Sequence, residues 1–196
     1  MLKIDDLGSN QPLEETWELQ ERLRIQRAAD LIPDTLLLLE HQPVYTIGRI
    51  RDTSSLNEES HLPHPVIRLN RGGQATYHGP GQLVGYAIFD LNQRKRDLHL
   101  HLRLLEELVI KTLDQFNIPA HRRNGLTGVW VEDRKIAALG VGVRRWVTQH
   151  GFALNITNEP LPAFEAITPC GIPNVTTTSI QTELNQEIDP DRKSVV

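Results

Sequence analysis

The sequence predicts an α+β domain: a mixed β-sheet flanked by helices. Short β-prone runs recur along the chain, several of them bounded by Gly or Pro. One long segment, 98–116, carries apolar residues at helical spacing. The two kinds of segment do not alternate as regular βαβ units, which disfavours an all-parallel sheet. With 196 residues, no repeat and no linker-like stretch, the chain reads as a single domain over 1–196. A polar, frayed tail is expected from about residue 185.

Taken in order, Pro12 to Ala29 predicts a helix, with Leu13, Trp17 and Leu23 on one face. Thr35 to Glu40 reads as a strand buried on both sides, and Val44 to Ile47 as a second strand ended by Gly48. Arg49 to Pro65 is polar, Pro-bearing and without period, the profile of a functional lid. Its His61 and His64 make a poor metal pair, because Pro63 and Pro65 oppose the helix that would align them. Val66 to Leu69 and Leu83 to Leu91 read as strands on either side of a Gly-rich stretch. Asp97 is an N-cap residue for the helix that buries Leu98, Leu102, Leu105, Val109, Leu113 and Phe116, while His99 and His101 face solvent. Pro119 to Arg123 is a short strand. Gly128 to Glu132 and Lys135 to Val143 form a hairpin joined at Asp133-Arg134. A strand over Trp146 to Ile156, a short helix over Leu161 to Ile167, a loop over Thr168 to Pro173 and a helix over Thr178 to Leu184 complete the chain.

Composition narrows the function. A net charge of −4 argues against a nucleic-acid partner. No apolar run reaches the roughly 18 residues of a membrane span. Met1 to Asp6 lacks the regions of a signal peptide, and the single cysteine permits no internal disulfide, so a cytoplasmic protein is expected. Basic clusters at Arg94-Lys95-Arg96, Arg122-Arg123 and Arg144-Arg145 offer surfaces for an acidic partner.

The chemistry concentrates in two places. Arg71-Gly72-Gly73-Gln74-Ala75-Thr76-Tyr77-His78-Gly79-Pro80-Gly81-Gln82 combines close-approach glycines with ligand-binding side chains. Amides near Gly72-Gly73, or in the Cys170 loop, are candidates for an oxyanion site. Cys170, bounded by Pro169 and Gly171, is a poor core cysteine and a good loop nucleophile, suited to attack on a thioester. Its thiolate needs a cation or a base. His78 is one candidate. Lys135 is the other. Strict alternation puts it on one face with Ala137, Leu139, Val141 and Val143, where burial would lower its pKa. The opposite face, Ile136, Ala138, Gly140 and Gly142, is mostly small and leaves room for a bound chain.

These residues together resemble the lipoyl (octanoyl) transferase family over about Leu38 to Ile180. The match rests on Arg71-Gly72-Gly73-x-x-Thr76-x-His78-x-x-Gly81-Gln82, on Glu40-His41-x-Pro43-Val44-Tyr45-Thr46-Ile47-Gly48 and on Lys135 to Val141. Trp146-x-x-x-His150-Gly151-Phe152-Ala153-Leu154-Asn155 and Pro169-Cys170-Gly171-Ile172 complete it, while Pro173 to Ser179 departs from the pattern. The resemblance implies a fold like the catalytic domains of biotin and lipoate ligases. It implies transfer of an octanoyl group from acyl carrier protein to a lysine of lipoyl domains, in 2-oxoacid dehydrogenase complexes and the glycine cleavage H protein, with no ATP, metal or other cofactor. Cys170 would form the acyl thioester and Lys135 would lower its pKa. Substrate contacts would fall on Arg71, Gly72, Gly73, Gln74, Ala75, Thr76, Tyr77 and His78, on Ala138, Leu139 and Gly140, and on Gly151, Phe152 and Ala153. Three alternatives stay open: an ATP-dependent ligase on the same fold, a non-catalytic carrier-binding module, and a Cys–His hydrolase using His78. Against the ligase stand Cys170 with Lys135 and the lack of a Gly-Arg-Gly-Arg run.

Overall fold

In the computed structural model, which describes residues 1–49, 53–57, 59–172 and 175–188, the chain opens with a strand that the sequence reading passed over. β1 (Leu2–Asp6) precedes helix α1 (Leu13–Ala28) and lies parallel to β2 (Asp34–Leu39). Its Leu2-Lys3-Ile4-Asp5 alternation is too short to stand out without the neighbouring strand. β3 (Val44–Ile47), β4 (Val66–Arg68), β5 (Thr76–His78) and β6 (Gln82–Ile88) follow, then α2 (Leu98–Asp114). β7 (Ala120–His121), β8 (Val129–Val131), β9 (Arg134–Arg144) and β10 (Val147–Asn155) lead to the short helices α3 (Leu161–Phe164) and α4 (Ile180–Leu184).

The main sheet has the order β1-β2-β6-β10-β9-β8-β7, parallel at β1/β2 and antiparallel elsewhere. A second sheet, β4-β3-β5, is also mixed. Alternation along the central strands feeds two cores. Leu36, Ala87, Phe152 and Leu154 meet Leu105, Val109 and Leu113 of α2 on one face. Leu37, Tyr86 and Ala153 meet Leu19 and Leu23 of α1 on the other.

Helix α1 departs from its predicted face. Trp17 and Leu23 are only half-buried, whereas Thr16, Gln20, Arg24 and Arg27 are buried. The polar stripe has partners. Arg27 Nε donates to Asp34 Oδ1 at 2.8 Å, and Arg94 Nη2 donates to Asp34 Oδ2 at 2.8 Å. Burial alone would raise the Asp34 carboxyl, but the two guanidiniums and the Asp90 amide hold it below its ordinary value.

The basic clusters are largely spent in the same way. Arg122 bonds Glu106 and Glu107, and Arg123 pairs with Asp133 and covers the Trp130 ring at 4.9 Å. Arg144 and Arg145 remain exposed at the β9–β10 turn. His101 is buried against Phe89, not solvent-facing, and burial followed by Arg94 pushes it down to about 4.

The predicted lid is a brace in its described part. Ser55 and Leu56 are buried; Ser55 Oγ accepts the Ala75 amide at 3.1 Å and Ser55 O accepts the Thr168 amide at 2.8 Å. His64 lies against Tyr45 and Tyr77. Residues 50–52 and 58 of that segment lie outside the described residues, as do Pro173 and Asn174 of the nucleophile loop and the tail from 189. The tail starts later than expected, since Ile188 still packs on the α2 core. The β8–β9 turn falls at Glu132-Asp133, one residue before the predicted position.

Candidate active site

Lys135 reaches its position through an irregularity. The β8–β9 register shifts between Val129 and Trp130: Val129 faces Ala137, yet Trp130 faces Lys135, leaving Ile136 extra. Ile136 and Ala137 consequently enter the same α2-facing core, and the parity of the strand is inverted before them. Lys135 thus stands on the side of Ala138 and Gly140. The sequence reading, which assumed unbroken alternation, placed it with Ala137 and Leu139.

Three further contacts fix the lysine. Its amide donates to Thr176 O and its carbonyl accepts from Thr178 N, so the segment after the Cys170 loop seats it. Its Nζ donates to Thr127 O at 3.1 Å. The next residue, Gly128, has φ +140°, and a Cβ there would stand 2.6 Å from Lys135 Cε. Buried Glu106 of α2 accepts the Gly128 amide at 3.1 Å and so ties this corner to the helix.

The sulfur is presented by a strained turn. Cys170 has φ +56°, in the left-handed region that non-glycine residues avoid. Its amide donates to Ala75 O at 2.9 Å, and the Thr168 amide is held by Ser55. A Cβ on Gly171 would collide with the Gln74 amide group, so the loop and the Gly-rich stretch interlock. The result is a Lys135 Nζ to Cys170 Sγ distance of 3.0 Å, with Lys135 buried and Cys170 half-buried.

From Cys170 a narrow groove runs beneath the Gly-rich stretch. Arg71, Gly73, Gln74, Thr76 and His78 line one wall. Ala138, Leu139 and Gly140, with Gly151, Phe152 and Ala153, line the other. Gly140 and Gly142 are required there, because a Cβ on either would press on Gly72 O or Asn70 O. Ala75 and Tyr77 do not line the groove. They point to a separate core with Tyr45, Ile47 and Phe164, since alternate residues of β5 and its approach face away. Gly72 is engaged in docking the stretch, its amide donating to Val141 O at 2.9 Å. The Gly72, Cys170 and Gly171 amides are all taken by backbone carbonyls, which removes them as oxyanion donors.

Sequence reasoning missed Leu69, Tyr86 and His150, which also line the groove. The signal for His150 was its place in the Trp146–Asn155 block. Arg71 is buried and gives its Nη atoms to Gly72 O, Thr46 O, Thr46 Oγ1 and Gln74 O. Among the described residues it makes no ion pair, and burial pushes its pKa down while nearby Cys170 opposes the shift. Arg71 Nε and Thr76 Oγ1 are buried without a partner.

Burial favours the neutral rings of His41 and His78, and their tautomers follow from the bonding. Thr178 O accepts from Asn155 Nδ2, Asn155 Oδ1 from Gln82 Nε2, and so Gln82 Oε1 faces His78 Nδ1 at 2.7 Å. His78 must donate from Nδ1, leaving Nε2 as an acceptor. Burial, and then the repulsion His41 would exert with both rings protonated, pushes His78 down to about 3. His41 donates from Nδ1 to Gln11 O and accepts the Tyr86 hydroxyl at 2.7 Å, and burial takes it to about 4.

Residues 12–194 match the model of the lipoyl protein ligase A/B catalytic domain. The chain belongs to that family. Members similar to it include the octanoyltransferase of Geobacter metallireducens, 49% identical over 187 residues, covering 95% of this chain and 85% of the relative. That of Rubrobacter xylanophilus is 49% identical over 193 residues, covering 95% and 86%. The lipoyl protein ligase fold is seen again in a bipartite lipoate protein ligase from Thermoplasma acidophilum, with TM-score 0.67 and 17% identity, covering 98% of this chain and 80% of that one. It recurs in the biotin protein ligase of Aquifex aeolicus, with TM-score 0.60 and 15% identity, covering 98% and 66%. No helix among the described residues is long and apolar enough to cross a membrane.

Proposed function

We propose that the chain passes octanoyl groups between proteins through a thioester on Cys170. The chain is an acyltransferase of protein lipoylation that handles octanoyl groups. The covalent route and the partners are the part proposed. The observation that carries it is the 3.0 Å contact between Lys135 Nζ and Cys170 Sγ at the mouth of a groove lined by the family blocks.

An ammonium at that distance stabilises a thiolate in a site screened from water. The thiolate attacks the carbonyl of an octanoyl thioester on acyl carrier protein. The new C–S bond forms, the carrier C–S bond breaks, and the departing thiolate takes a proton from Lys135. The lysine of a lipoyl domain or glycine cleavage H protein then attacks the acyl-Cys170. Neutral Lys135 accepts its proton, and Cys170 leaves as the thiolate with the ion pair restored. Thr76 Oγ1 and Arg71 Nε, both buried and unpartnered, suit the acyl carbonyl oxygen better than the engaged backbone amides. A thioester is activated enough for amide formation without ATP, and a cytoplasmic setting accompanies these partners. Exposed Arg144 and Arg145 suit an acidic partner better than Arg122, which is bonded to Glu106 and Glu107 of α2, and Arg123, which pairs with Asp133.

Intact mass spectrometry after mixing with octanoyl carrier protein tests the route. One octanoyl group is expected on the wild type without ATP, and none on Cys170→Ala. An adduct that survives Cys170→Ala, or transfer that needs ATP and releases pyrophosphate, overturns it.

A further inference from the structure

We infer that His150 is the end wall that gauges acyl-chain length, and that Gln20 of α1 is the positioning residue that holds it there. The inference rests on the Cys170 thioester reading.

His150 has φ +60° inside β10, a conformation costly for a side chain in a strand. The β6–β10 register runs from Asn155↔Gln82 to Gly151↔Tyr86 and resumes at Val147↔Asp90. Carried through the gap, that register sets His150 opposite Ala87, where an ordinary rung would join His150 N–H to Ala87 O. The rung is absent. His150 N–H donates instead to Gln20 Oε1 at 2.8 Å, and Ala87 O accepts the Thr148 hydroxyl at 2.7 Å. Both groups freed by the break are therefore satisfied, one by a side chain reaching in from α1. Gln20 is buried and has no surface role.

The imidazole is fixed as firmly as its backbone. Glu21 Oε1 accepts from Asn70 Nδ2 at 3.3 Å, so Asn70 Oδ1 faces His150 and accepts its Nε2–H at 2.7 Å. The ring lies edge-on to Tyr86, with centroids 5.9 Å apart. Leu69, Tyr86 and His150 together line the groove at this end.

Its place along the sheet supplies the ruler. His150 is opposite Val141, three residues along β9 from Ala138, which lines the groove beside Cys170. Three strand residues rise about 10 Å. That is the reach of an extended medium-length acyl chain, and at that distance the groove meets a ring held by Asn70 and packed edge-on to Tyr86.

The test is the acylation rate of Cys170 from hexanoyl, octanoyl, decanoyl and dodecanoyl carrier protein, followed by intact mass. His150→Ala is expected to raise the decanoyl-to-octanoyl rate ratio about tenfold, the usual worth of pocket space for added methylenes. Gln20→Met, isosteric but without the acceptor, is expected to raise the ratio about threefold, and Gln20→Glu to return it towards wild type. Asn70→Ala serves as a second break of the clamp if Gln20→Met does not fold, with the same direction expected. If every rate falls together and the ratio stays at its wild-type value, His150 is only structural and the inference is wrong. If the wild type takes no acyl group on Cys170 from any donor, the thioester reading fails instead.

Discussion

At one end of the groove a sulfur and an amine stand 3.0 Å apart; at the other end His41, His78 and His150 are buried and pushed down to about 4, 3 and 3, chiefly by burial. The two ends are comparably polar and differ in what their polarity can do. The Cys170 end holds a thiol and an amine in contact, the pair to which the proposed route gives the parts of nucleophile and proton donor. The histidine end is locked by acceptors whose own bonding dictates each tautomer, so no proton is free to move at neutral pH. On the proposed route, proton transfer is confined to the mouth, and the rest of the groove is left to measure and orient the chain. A Cys–His hydrolase would need the opposite arrangement, with His78 mobile and bonded to Cys170. Among the described residues Cys170 Sγ is bonded by Lys135 Nζ instead.

Lys135→Ala should lower Cys170 acylation by about 10²–10⁴-fold, the range for loss of a placed acid–base group. Lys135→Arg should not restore it, because a guanidinium does not deprotonate near neutrality. Near-normal rates in either variant would strip Lys135 of its role. Gly128→Ala should cost on the order of 10²-fold by displacing the ammonium, with little change in the apparent KM for the carrier. His78→Ala should cost only about tenfold, as expected for a wall residue; a larger loss than with Lys135→Ala would revive the hydrolase.

Much of this was readable in the sequence, and the failures share a cause. The α2 stripe, the β8–β9 hairpin and the Cys170 loop follow from periodicity and turn residues, which are local. Lys135 and Cys170 do come into contact, but not from the face the sequence reading assumed: the Ile136 bulge is invisible without β8 beside it. The buried Gln20 on α1 looks like an ordinary solvent-facing residue until His150 N–H is seen to need it. Ala75 and Tyr77 were included because a motif names consecutive residues, whereas a strand presents alternate ones.

The smallest effect concerns pH. His41, His78, His101 and His150 all have native values below their ordinary one of 6.5, so between that value and about 3 to 4 the unfolded chain binds more protons than the folded one. Their contribution is intact above about pH 6.5 and is lost progressively on acidification. His101, remote from Cys170, isolates the effect. His101→Leu should flatten the fall in unfolding free energy between pH 7 and pH 5, read by denaturant melts, by up to about 1.4 kcal/mol per pH unit. An unchanged slope would show that its buried neutrality does not govern acid sensitivity.

The turn that presents Cys170 is held by Ala75 and Ser55, segments far upstream in the chain, and its cation arrives from Lys135 on yet another. A chain emerging from synthesis has none of these in place until nearly all of it is available. On the proposed route, activation of the thiol by Lys135 comes only at the last step of assembly, and a rise in its alkylation rate on folding would report that step.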